Sequence, residues 1–215
     1  MPTIMGRTPV KSSEARMDAI MKILKKIARG LLFILHLIYR QRTIYLYELR
    51  PARMKKNEPA VDYQFGQAED AAAGGHIDAM KRVQFYDPVE LARRKKLGDV
   101  CYTATVANRV VGFCWMTNNQ RYISEIAYTV RLEAGTAWVY ACAVDPDFRG
   151  KGVYPAMLGQ IGESLFGHGI LRIRIDVESD NTASISGIEK AGFRRRGHIL
   201  WQRIFGKEKI RFVYD

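Results

Sequence analysis

The amino-acid sequence predicts a mixed α/β domain, in which a central mixed sheet has flanking helices and an amphipathic helix precedes the sheet. Three observations lead to this prediction. Runs of β-branched and aromatic residues recur between turn residues, as is typical of strands. Two stretches with helical spacing interrupt these runs in the second half of the chain. The 215 residues are 47% apolar and 26% charged, which excludes a disordered or fibrous chain.

The predicted elements follow one another in the order β-α-ββββ-α-β-α-ββ. The first helix of the domain starts at Asp87-Pro88, because Asp is a good N-cap and Pro fits the first helical position, and it runs to Lys96. Residues 52–82 are predicted to be loop with some helix, and Asn108-Arg109 and Gly206-Lys207 are predicted turns. The strands are predicted at residues 44–49, 100–106, 110–116, 123–132, 137–144, 171–177, 197–204 and 209–214, and the other two helices at 154–166 and 182–190.

Positive charge is concentrated near the N-terminus. The formal net charge of the chain is +12, and residues 1–42 carry +7 of it. At a rotation of about 100° per residue, the aliphatic side chains between residues 20 and 38 lie on one helix face and the basic ones on the other. We therefore expect a cationic amphipathic helix at residues 18–40, within a segment 1–42 that precedes the domain at 43–215.

The sequence leaves the role of this helix open. Its longest uncharged run, Gly30–Tyr39, has ten residues, whereas a membrane span needs about 20. Either the helix lies in the interface of an anionic membrane with its lysines toward the headgroups, or its apolar stripe packs on its own domain or on the second subunit of a homodimer. Nucleic-acid binding is disfavoured, because the basic face has few aromatic side chains for base stacking.

Cysteine and histidine usage argues against a metal centre. The three cysteines and four histidines are widely spaced, and neither a CxxC nor an HExxH motif occurs. We therefore expect no metal and no disulfide framework. A reducing compartment fits this pattern, so the expected location is the cytoplasm, with peripheral contact at the inner face of the membrane if the helix binds lipid.

Residues 144–156 carry the clearest chemical signal. A predicted strand ends, a basic glycine-rich loop follows, and a helix begins. Glycines let backbone N–H groups approach an anion, and the start of a helix offers unpaired N–H groups and the positive end of its dipole. Arg149 and Lys151 add positive charge, so the stretch predicts a phosphate or pyrophosphate site. It is not a Walker loop, because Gly152 follows Lys151, nor a dinucleotide GxGxxG loop, because Pro155 replaces the third glycine.

This loop resembles the acetyl-CoA loop of the GCN5-related N-acetyltransferase (GNAT) family, written Gln/Arg-x-x-Gly-x-Gly/Ala. Arg149, Gly152 and Tyr154 occupy its three defined places. A second segment also resembles the family, since Asn181 follows the next predicted strand and a short helix then ends in Gly192-Phe193. The resemblance implies the GNAT fold, classed among acyl-CoA N-acyltransferases, with acetyl-CoA as co-substrate.

The resemblance also implies where the co-substrate binds. Two parallel strands, at about 137–144 and 171–177, would splay apart and admit the pantetheine arm. The implied contacts are the backbone near Ala143 and Val144, the charged Arg149, the N–H groups of Gly150, Lys151, Gly152, Val153 and Tyr154, and the side chains of Asn181 and Ser184.

The sequence departs from the family pattern at two places. Tyr154 stands where the family usually has Gly or Ala, so its ring must turn away from the co-substrate or contact it. Ile188 stands seven residues after Asn181, where many members carry the Tyr that protonates the leaving thiolate. Tyr140 and Tyr154 are candidates to replace that acid, and Tyr154 is taken as the catalytic candidate.

The predicted general base also comes from the resemblance. The ammonium of an acceptor must lose a proton before it attacks a thioester. Ribosomal-protein alanine acetyltransferases of the family use a Glu five residues before the Asn, and the matching residue here is Asp176. The alternative is that Asp176 only pairs with Arg174, which shares its strand face. Glu178, Glu125 and Glu133 are further candidates for the base.

The predicted activity is the transfer of an acetyl group from acetyl-CoA to a primary amine. The chain resembles family members encoded with bacterial surface-polysaccharide genes, which implies an amino sugar, or its nucleotide-linked or lipid-linked form, as the acceptor. Two alternatives stay open. One is a regulatory domain that binds acyl-CoA without turnover, which the absence of the usual Tyr would fit, and the other is a protein or peptide N-acetyltransferase.

Overall fold

The structure is a computed structural model that describes the backbone of residues 11–68 and 88–215, with the side chains of residues 17–30, 38–68 and 89–215. Asp87, the predicted N-cap, lies outside these residues, as do residues 69–82 of the predicted loop at 52–82. The described helices are α1 (Lys11–Ile38), α2 (Pro88–Lys96), α3 (Val153–Gly167) and α4 (Thr182–Lys190). The described strands are β1 (Tyr39–Leu49), β2 (Gln64–Gln67), β3 (Val100–Val106), β4 (Arg109–Thr117), β5 (Gln120–Ile123), β6 (Tyr128–Arg131), β7 (Thr136–Val144), β8 (Arg172–Glu178), β9 (Arg194–Ile204) and β10 (Lys207–Tyr214).

Eight of these strands form one sheet in the order β10-β9-β1-β8-β7-β4-β3-β2. Neighbours β7 and β8 run parallel, whereas β8 pairs with β1, and β7 with β4, in the antiparallel sense. The sheet is therefore mixed, and helices flank it, which confirms the predicted fold class. Strands β5 and β6 form a separate two-stranded hairpin.

Alternation along β8 separates a core face from a polar face of the sheet. Ile173, Ile175 and Val177 are buried in the core that α3 and α4 cover, while Arg174 and Asp176 point to the opposite face. Burying each such aliphatic side chain stabilises the fold by about 1.5–3 kcal/mol. The same alternation therefore builds the core and places charged groups on the face that carries the candidate chemistry.

The chain divides into two compact units. One contains α1 up to Gln41 together with Trp201–Ile210, the adjoining ends of β9 and β10, and the other contains Arg42–Leu200 and Arg211–Asp215. In the first unit the backbone N–H of Phe205 donates a hydrogen bond to the carbonyl of Ile38, at 2.8 Å. The turn between β9 and β10 is thereby attached to the C-terminal end of α1.

Some predicted element boundaries differ from the structure. The predicted strand at 123–132 is instead the hairpin of β5 and β6, which reverses through a short 3-10 turn and Ala127, a residue in the left-handed region at φ 49°. Both predicted turns lie one residue too late, because the positive φ angles fall at Ala107-Asn108 and Phe205-Gly206. Helix α1 begins at Lys11 rather than 18 and gives way to β1 at Tyr39.

Candidate active site

The candidate site begins where β7 and β8 part. Their parallel pairing runs from Thr136 with Arg172 to Val139 with Ile175, and no pairing between these strands follows among the described residues. On its other edge, β7 continues alongside β4, with Ala143 opposite Phe113. The last part of β7 therefore presents backbone polar groups without a strand partner on the β8 side, which is the arrangement that an extended ligand needs in order to add itself to a sheet edge.

A bulge in β7 widens this opening. The register between β4 and β7 shifts between Phe113 and Trp115, and Ala141 adopts φ 46°. A non-glycine residue in the left-handed region costs about 1–2 kcal/mol, so the surrounding structure holds this conformation against its strain. The bulge bends β7 at the mouth of the splay, while the strand pairs with β4 on both sides of it. The residue types of β7 do not predict this bulge.

The loop after β7 is fixed at its start by Asp145. This buried carboxylate accepts a hydrogen bond from the backbone N–H of Asp147 at 3.0 Å and forms an ion pair with Arg109. The two contacts hold the short 3-10 turn Pro146–Phe148 against the hairpin of β3 and β4. The glycine-rich segment therefore leaves the sheet from a rigid base.

Two glycines give the loop its shape. Gly150 and Gly152 have φ angles of 76° and 77°, and Gly152 is the N-cap of α3. A Cβ on Gly152 would lie 3.3 Å from the Cα of Pro59, whereas a Cβ on Gly150 would meet no atom within 4 Å. The space beside Gly150 is thus open to a ligand. The first N–H groups of α3, at Val153 and Tyr154, lack partners in the helix by the geometry of any helix start.

The loop's basic side chains contact their neighbours. Arg149 donates from Nε to the carbonyl oxygen of Val144 at 3.0 Å. The Lys151 Nζ lies 5.0 Å from the centre of the Phe148 ring, and its own carbonyl oxygen accepts a hydrogen bond from Ala60 at 2.8 Å. Both side chains therefore add positive charge around the backbone N–H groups of the loop, where phosphate oxygens would gather.

Helix α4 closes the other side of the splay. Asn181 caps it, because its side-chain oxygen accepts a hydrogen bond from the Ser184 N–H at 3.1 Å. Ile188, the residue in the family's Tyr place, is fully buried in the core. The position that carries a Tyr in many family members is therefore filled here by a core residue, and Ile188 packs beneath the site.

Tyr154 turns its ring onto α4. The ring lies against Gly187, where an added Cβ would overlap it, and the Tyr154 hydroxyl lies 3.3 Å from the Ser184 Oγ. Burial raises the pKa of Tyr154 well above its usual value, so the phenol keeps its proton in ordinary buffers. The sequence analysis did not predict that Gly187 makes room for the Tyr154 ring. The available signals were a glycine within a predicted helix and, in the loop, a Tyr where the family has Gly or Ala.

Tyr140, the other candidate acid, is more firmly engaged. Its hydroxyl donates to Asp99, and its ring lies between two guanidinium groups, 5.1 Å from the Arg94 Cζ and 4.7 Å from the Arg121 Cζ. Burial and the contact with Asp99 raise the pKa of Tyr140. Because the Tyr140 hydroxyl already donates its proton to Asp99, Tyr154 is the better placed proton donor of the two.

Asp176, the predicted base, lies in a buried ion pair. Arg121 donates to its two oxygens, from Nε at 2.9 Å and from Nη2 at 3.0 Å, and the Trp138 indole donates to Oδ1 at 2.6 Å. The alternative prediction, that Asp176 pairs with Arg174, was wrong. The Arg174 Nε lies 3.8 Å from a carboxylate oxygen of Glu48 instead. Although burial opposes its charge, the pairing with Asp176 raises the pKa of Arg121.

The other candidate carboxylates differ in their partners. Glu178 forms an ion pair with Arg42, and Glu133 forms one with Arg172 at 3.1 Å. Glu125 is exposed and accepts a hydrogen bond from the Ser124 hydroxyl at 3.1 Å. Among Asp176, Glu178 and Glu125, only the Glu125 carboxylate has no cation of the described residues within 4 Å.

These groups line one cleft of about 200 Å³ between the splayed strands and the start of α4. Asp176, Tyr154, Asn181 and Ser184, four of the predicted site residues, all face it. Its lining consists of Ile44, Arg121, Glu125, Tyr140, Ala141, Cys142, Tyr154, Ile175, Asp176, Val177, Glu178, Asn181 and Ser184. Arg121 and Ala141 are members that sequence reasoning missed, because the hairpin and the bulge that bring them here had no local signal.

Two further features of the described residues bear on the earlier expectations. No group of three or more His, Cys, Asp or Glu side chains in the described ranges is arranged to hold a metal ion. Over the same ranges, no helix combines the length and the apolar character that crossing a bilayer requires.

A parallel pair that splays beside a bulge, followed by a glycine loop and a helix, defines the class of acyl-CoA N-acyltransferase folds. The sequence agrees, because residues 68–193 match the acetyltransferase (GNAT) family. The match spans more than half of the chain, so the chain belongs to the GNAT family, and the resemblance seen in the sequence is confirmed.

Individual relatives are more distant. An acetyltransferase of Sodalis glossinidius is 32% identical over 71 residues, which are 33% of this chain and 48% of the relative. A GCN5-related N-acetyltransferase of Sphaerobacter thermophilus shares the fold with a TM-score of 0.58 at 15% identity, over 82% of this chain and 56% of that one. A GNAT-family acetyltransferase of Colwellia psychrerythraea gives 0.53 at 15% identity, over 82% and 57%. The chain thus spans about half the length of these relatives.

Proposed function

We propose that the protein transfers the acetyl group of acetyl-CoA to a primary amine. One observation carries this proposal: the opening between β7 and β8 leads directly to the Gly150–Gly152 loop at the start of α3. Unpartnered backbone groups of β7 suit the amides of pantetheine, and the loop suits its pyrophosphate. The contacts predicted for Ala143, Val144 and the loop residues are part of this proposal.

Tyr154 serves as the general acid in this proposal. The amine nitrogen attacks the thioester carbonyl carbon, the C–S bond breaks, and the departing thiolate needs a proton. The Tyr154 hydroxyl faces the cleft beside Ser184, and its raised pKa means that it arrives protonated. In this proposal Tyr154 on α3, whose ring contacts α4 at Ser184 and Gly187, takes the place of the Tyr that many family members carry on the helix itself.

The reaction also needs a general base that removes a proton from the acceptor ammonium. Asp176 was predicted for this role, but three N–H donors already surround its carboxylate. An incoming ammonium would have to compete with these donors for both carboxylate oxygens. Glu125 lines the same cleft, and no cation of the described residues lies within 4 Å of its carboxylate, so we assign proton removal to Glu125. Asp176 has a positioning role in this proposal, because it holds Arg121 at the wall of the cleft.

For the acceptor we retain an amino sugar, as its free, nucleotide-linked or lipid-linked form. The polar lining of the cleft, with several hydrogen-bonding groups around about 200 Å³, suits a hydroxylated amine. A peptide N-terminus and a domain without turnover are the competing candidates, and the second follows from Ile188 in the place of the usual acid.

An acetylation screen tests the proposal. Amino sugars, peptides and polyamines would be offered with acetyl-CoA, and thiol release would be followed beside calorimetry of CoA binding. Turnover with an amino sugar supports the full proposal. Binding of CoA without thiol release on any acceptor would identify a regulatory acyl-CoA-binding domain instead, and no binding at all would overturn the assignment of the cleft.

We also propose that α1 rests on an anionic membrane surface. Every described side chain from Met17 to Gly30 is exposed, including those of the apolar stripe. Six apolar residues and two alanines of this stretch spread over about half of the helix circumference, with Ala19 at one edge and Met21 at the other. This stripe is wider than a coiled-coil seam. Four basic side chains, Lys22, Lys25, Lys26 and Arg29, fill the opposite face.

The hairpin turn in the same unit supports this placement. Phe205 at its tip is 76% exposed and Ile204 beside it is 46% exposed, and Arg203, Lys207 and Lys209 surround them. An exposed aromatic group flanked by cations is the composition that binds a lipid interface. Because the turn is hydrogen-bonded to the end of α1, both features belong to one surface unit.

A further inference from the structure

A second cavity lies on the polar face of the sheet, next to the Asp176 ion pair. It has a volume of about 300 Å³ and lies over β1, β8 and β9. Its lining consists of Leu46, Tyr47, Glu48, Arg50, Val130, Trp138, Arg174, Arg196, Phe212, Tyr214 and Asp215. We infer that this cavity binds an acidic oxyanion, a phosphate or a carboxylate, carried by the acceptor amine. The inference rests on the proposed function, because it names the chemical class of that acceptor.

Three arginines converge on one buried carboxylate in this cavity. Glu48 is 7% exposed, and Arg50 Nε lies 2.9 Å from it, Arg196 Nη2 3.6 Å and Arg174 Nε 3.8 Å. Burial opposes the charge of Glu48, but the hydrogen bond from Arg50 and the charges of the three arginines lower its pKa. Glu48 is therefore ionised and neutralises only one of the three.

The remaining acidic group in the lining does not cancel the surplus. Asp215 is paired with Arg195 at 3.2 Å, and Arg195 is not among the lining residues. In the part of the chain that the structure describes, Glu48 is the one carboxylate within 4 Å of Arg174 and of Arg196. The cluster of Glu48 and its three arginines thus keeps two positive charges facing the cavity.

Arginine is suited to this use. Its planar guanidinium donates two parallel hydrogen bonds to a phosphate or carboxylate, and it remains charged at every ordinary pH. Arg174 and Arg196 stand at long distances from Glu48, so their donors are only partly engaged. An incoming oxyanion would take up these donors without breaking a close pair.

The position of the cavity connects it with the reaction. Trp138 is one wall of the cavity, and its indole donates to Asp176, which lines the catalytic cleft. The hydrogen-bonded side chains of Trp138 and Asp176 therefore lie between the two spaces. The rings of Phe212 and Tyr214 complete a partly aromatic wall that suits a ring next to the oxyanion. An amine with an acidic group one ring away from its nitrogen matches this arrangement.

Binding of simple oxyanions tests the inference without relying on turnover. Methyl phosphate, acetate and inorganic pyrophosphate would be titrated into wild-type protein and into Arg174→Gln and Arg196→Gln. We expect each variant to weaken binding of the preferred oxyanion at least tenfold. Arg172→Gln is the matched control, since Arg172 shares the strand face of β8 but pairs with Glu133. Equal binding by wild type, both variants and the control overturns the inference.

Kinetics then separate this inference from the proposed function. A hexosamine, its phosphate ester and an amino acid would be compared as acceptors. A preference for a charged acceptor that disappears in Arg196→Gln, with an unchanged KM for acetyl-CoA, supports the inference and tells phosphate from carboxylate. Turnover of all acceptors with equal kcat/KM keeps the proposed function and overturns the inference. Failure to bind acetyl-CoA overturns the proposed function, while the oxyanion titrations still decide this site.

Discussion

Arg121 donates to both oxygens of Asp176, with Nε 2.9 Å from one and Nη2 3.0 Å from the other. Their side chains are only 10% and 7% exposed. The pair joins the β5–β6 hairpin to the polar face of β8, so one ion pair attaches a peripheral hairpin to the strand that borders the candidate cleft.

Breaking the ion pair should destabilise the protein. We expect Arg121→Ala to lower the free energy of unfolding by about 3–5 kcal/mol, because it leaves a buried carboxylate without its cation. Asp176→Ala should cost a similar amount, and the double variant should cost less than the two together. Urea denaturation measures all three. A strictly additive double variant would show that the pair contributes nothing as a pair.

Exchange of single carboxylates should identify the base. We expect Glu125→Gln to lower kcat/KM by about 100-fold or more, as loss of a general base does. Its stability should hardly change, because Glu125 is exposed. Full activity in Glu125→Gln, together with a folded but inactive Asp176→Asn, would return the role of base to Asp176.

Tyr154→Phe should slow the chemical step and leave CoA binding intact. We expect kcat to fall by about 100-fold, since the thiolate loses its proton donor. Because the folded protein raises the pKa of Tyr154 above its usual 10, the phenol stays protonated as pH rises, and no loss of wild-type activity below pH 10 should come from it. Tyr63→Phe, which removes a hydroxyl bonded to Gln160 at 2.6 Å, is the control. Equal kcat in the two variants contradicts the assignment.

Gly150→Ala should weaken CoA binding more than it weakens the fold. Its φ angle of 76° makes any Cβ cost about 1–2 kcal/mol, and that Cβ would project into the open space where a pyrophosphate would approach. Gly206→Ala is the matched control, because Gly206 has φ 77° and equally open surroundings in the β9–β10 turn. Calorimetry should show a Kd for CoA raised at least tenfold only in Gly150→Ala. A similar Kd in both variants would mean that the loop does not hold the pyrophosphate.

Polar substitution on α1 should release the protein from anionic vesicles. We expect wild-type protein to sediment with phosphatidylglycerol vesicles, less so as salt rises, and Leu24→Gln and Phe205→Ser to weaken this binding. Leu171→Gln changes a comparably exposed leucine elsewhere and should bind as wild type does. If Leu24→Gln instead converts a dimer to a monomer in analytical ultracentrifugation and no vesicle binding occurs, the helix is a subunit interface.

The fold could be predicted from local patterns, because alternation, helical spacing and turn residues are each visible within a few neighbouring residues. Alternation located β3, β4, β7 and β8, and the glycine loop with its helix start appeared where the spacing put it. The 123–132 segment was predicted wrongly, because β5 and β6 are both strand-like and only their mutual pairing reveals the reversal at Ala127. The turn positions failed for a similar reason, since Ala107 and Phe205 carry no sign of a positive φ.

The sequence by itself determined the fold class, the family and the loop at Gly150–Gly152, because periodicity, glycine and charge are properties of neighbouring residues. Only the tertiary structure decided the partner of Asp176, the orientation of Tyr154 and the convergence of three arginines on Glu48. Those contacts join residues that are far apart in the chain, such as Arg121 and Asp176, and strand order and register, rather than residue type, bring them together.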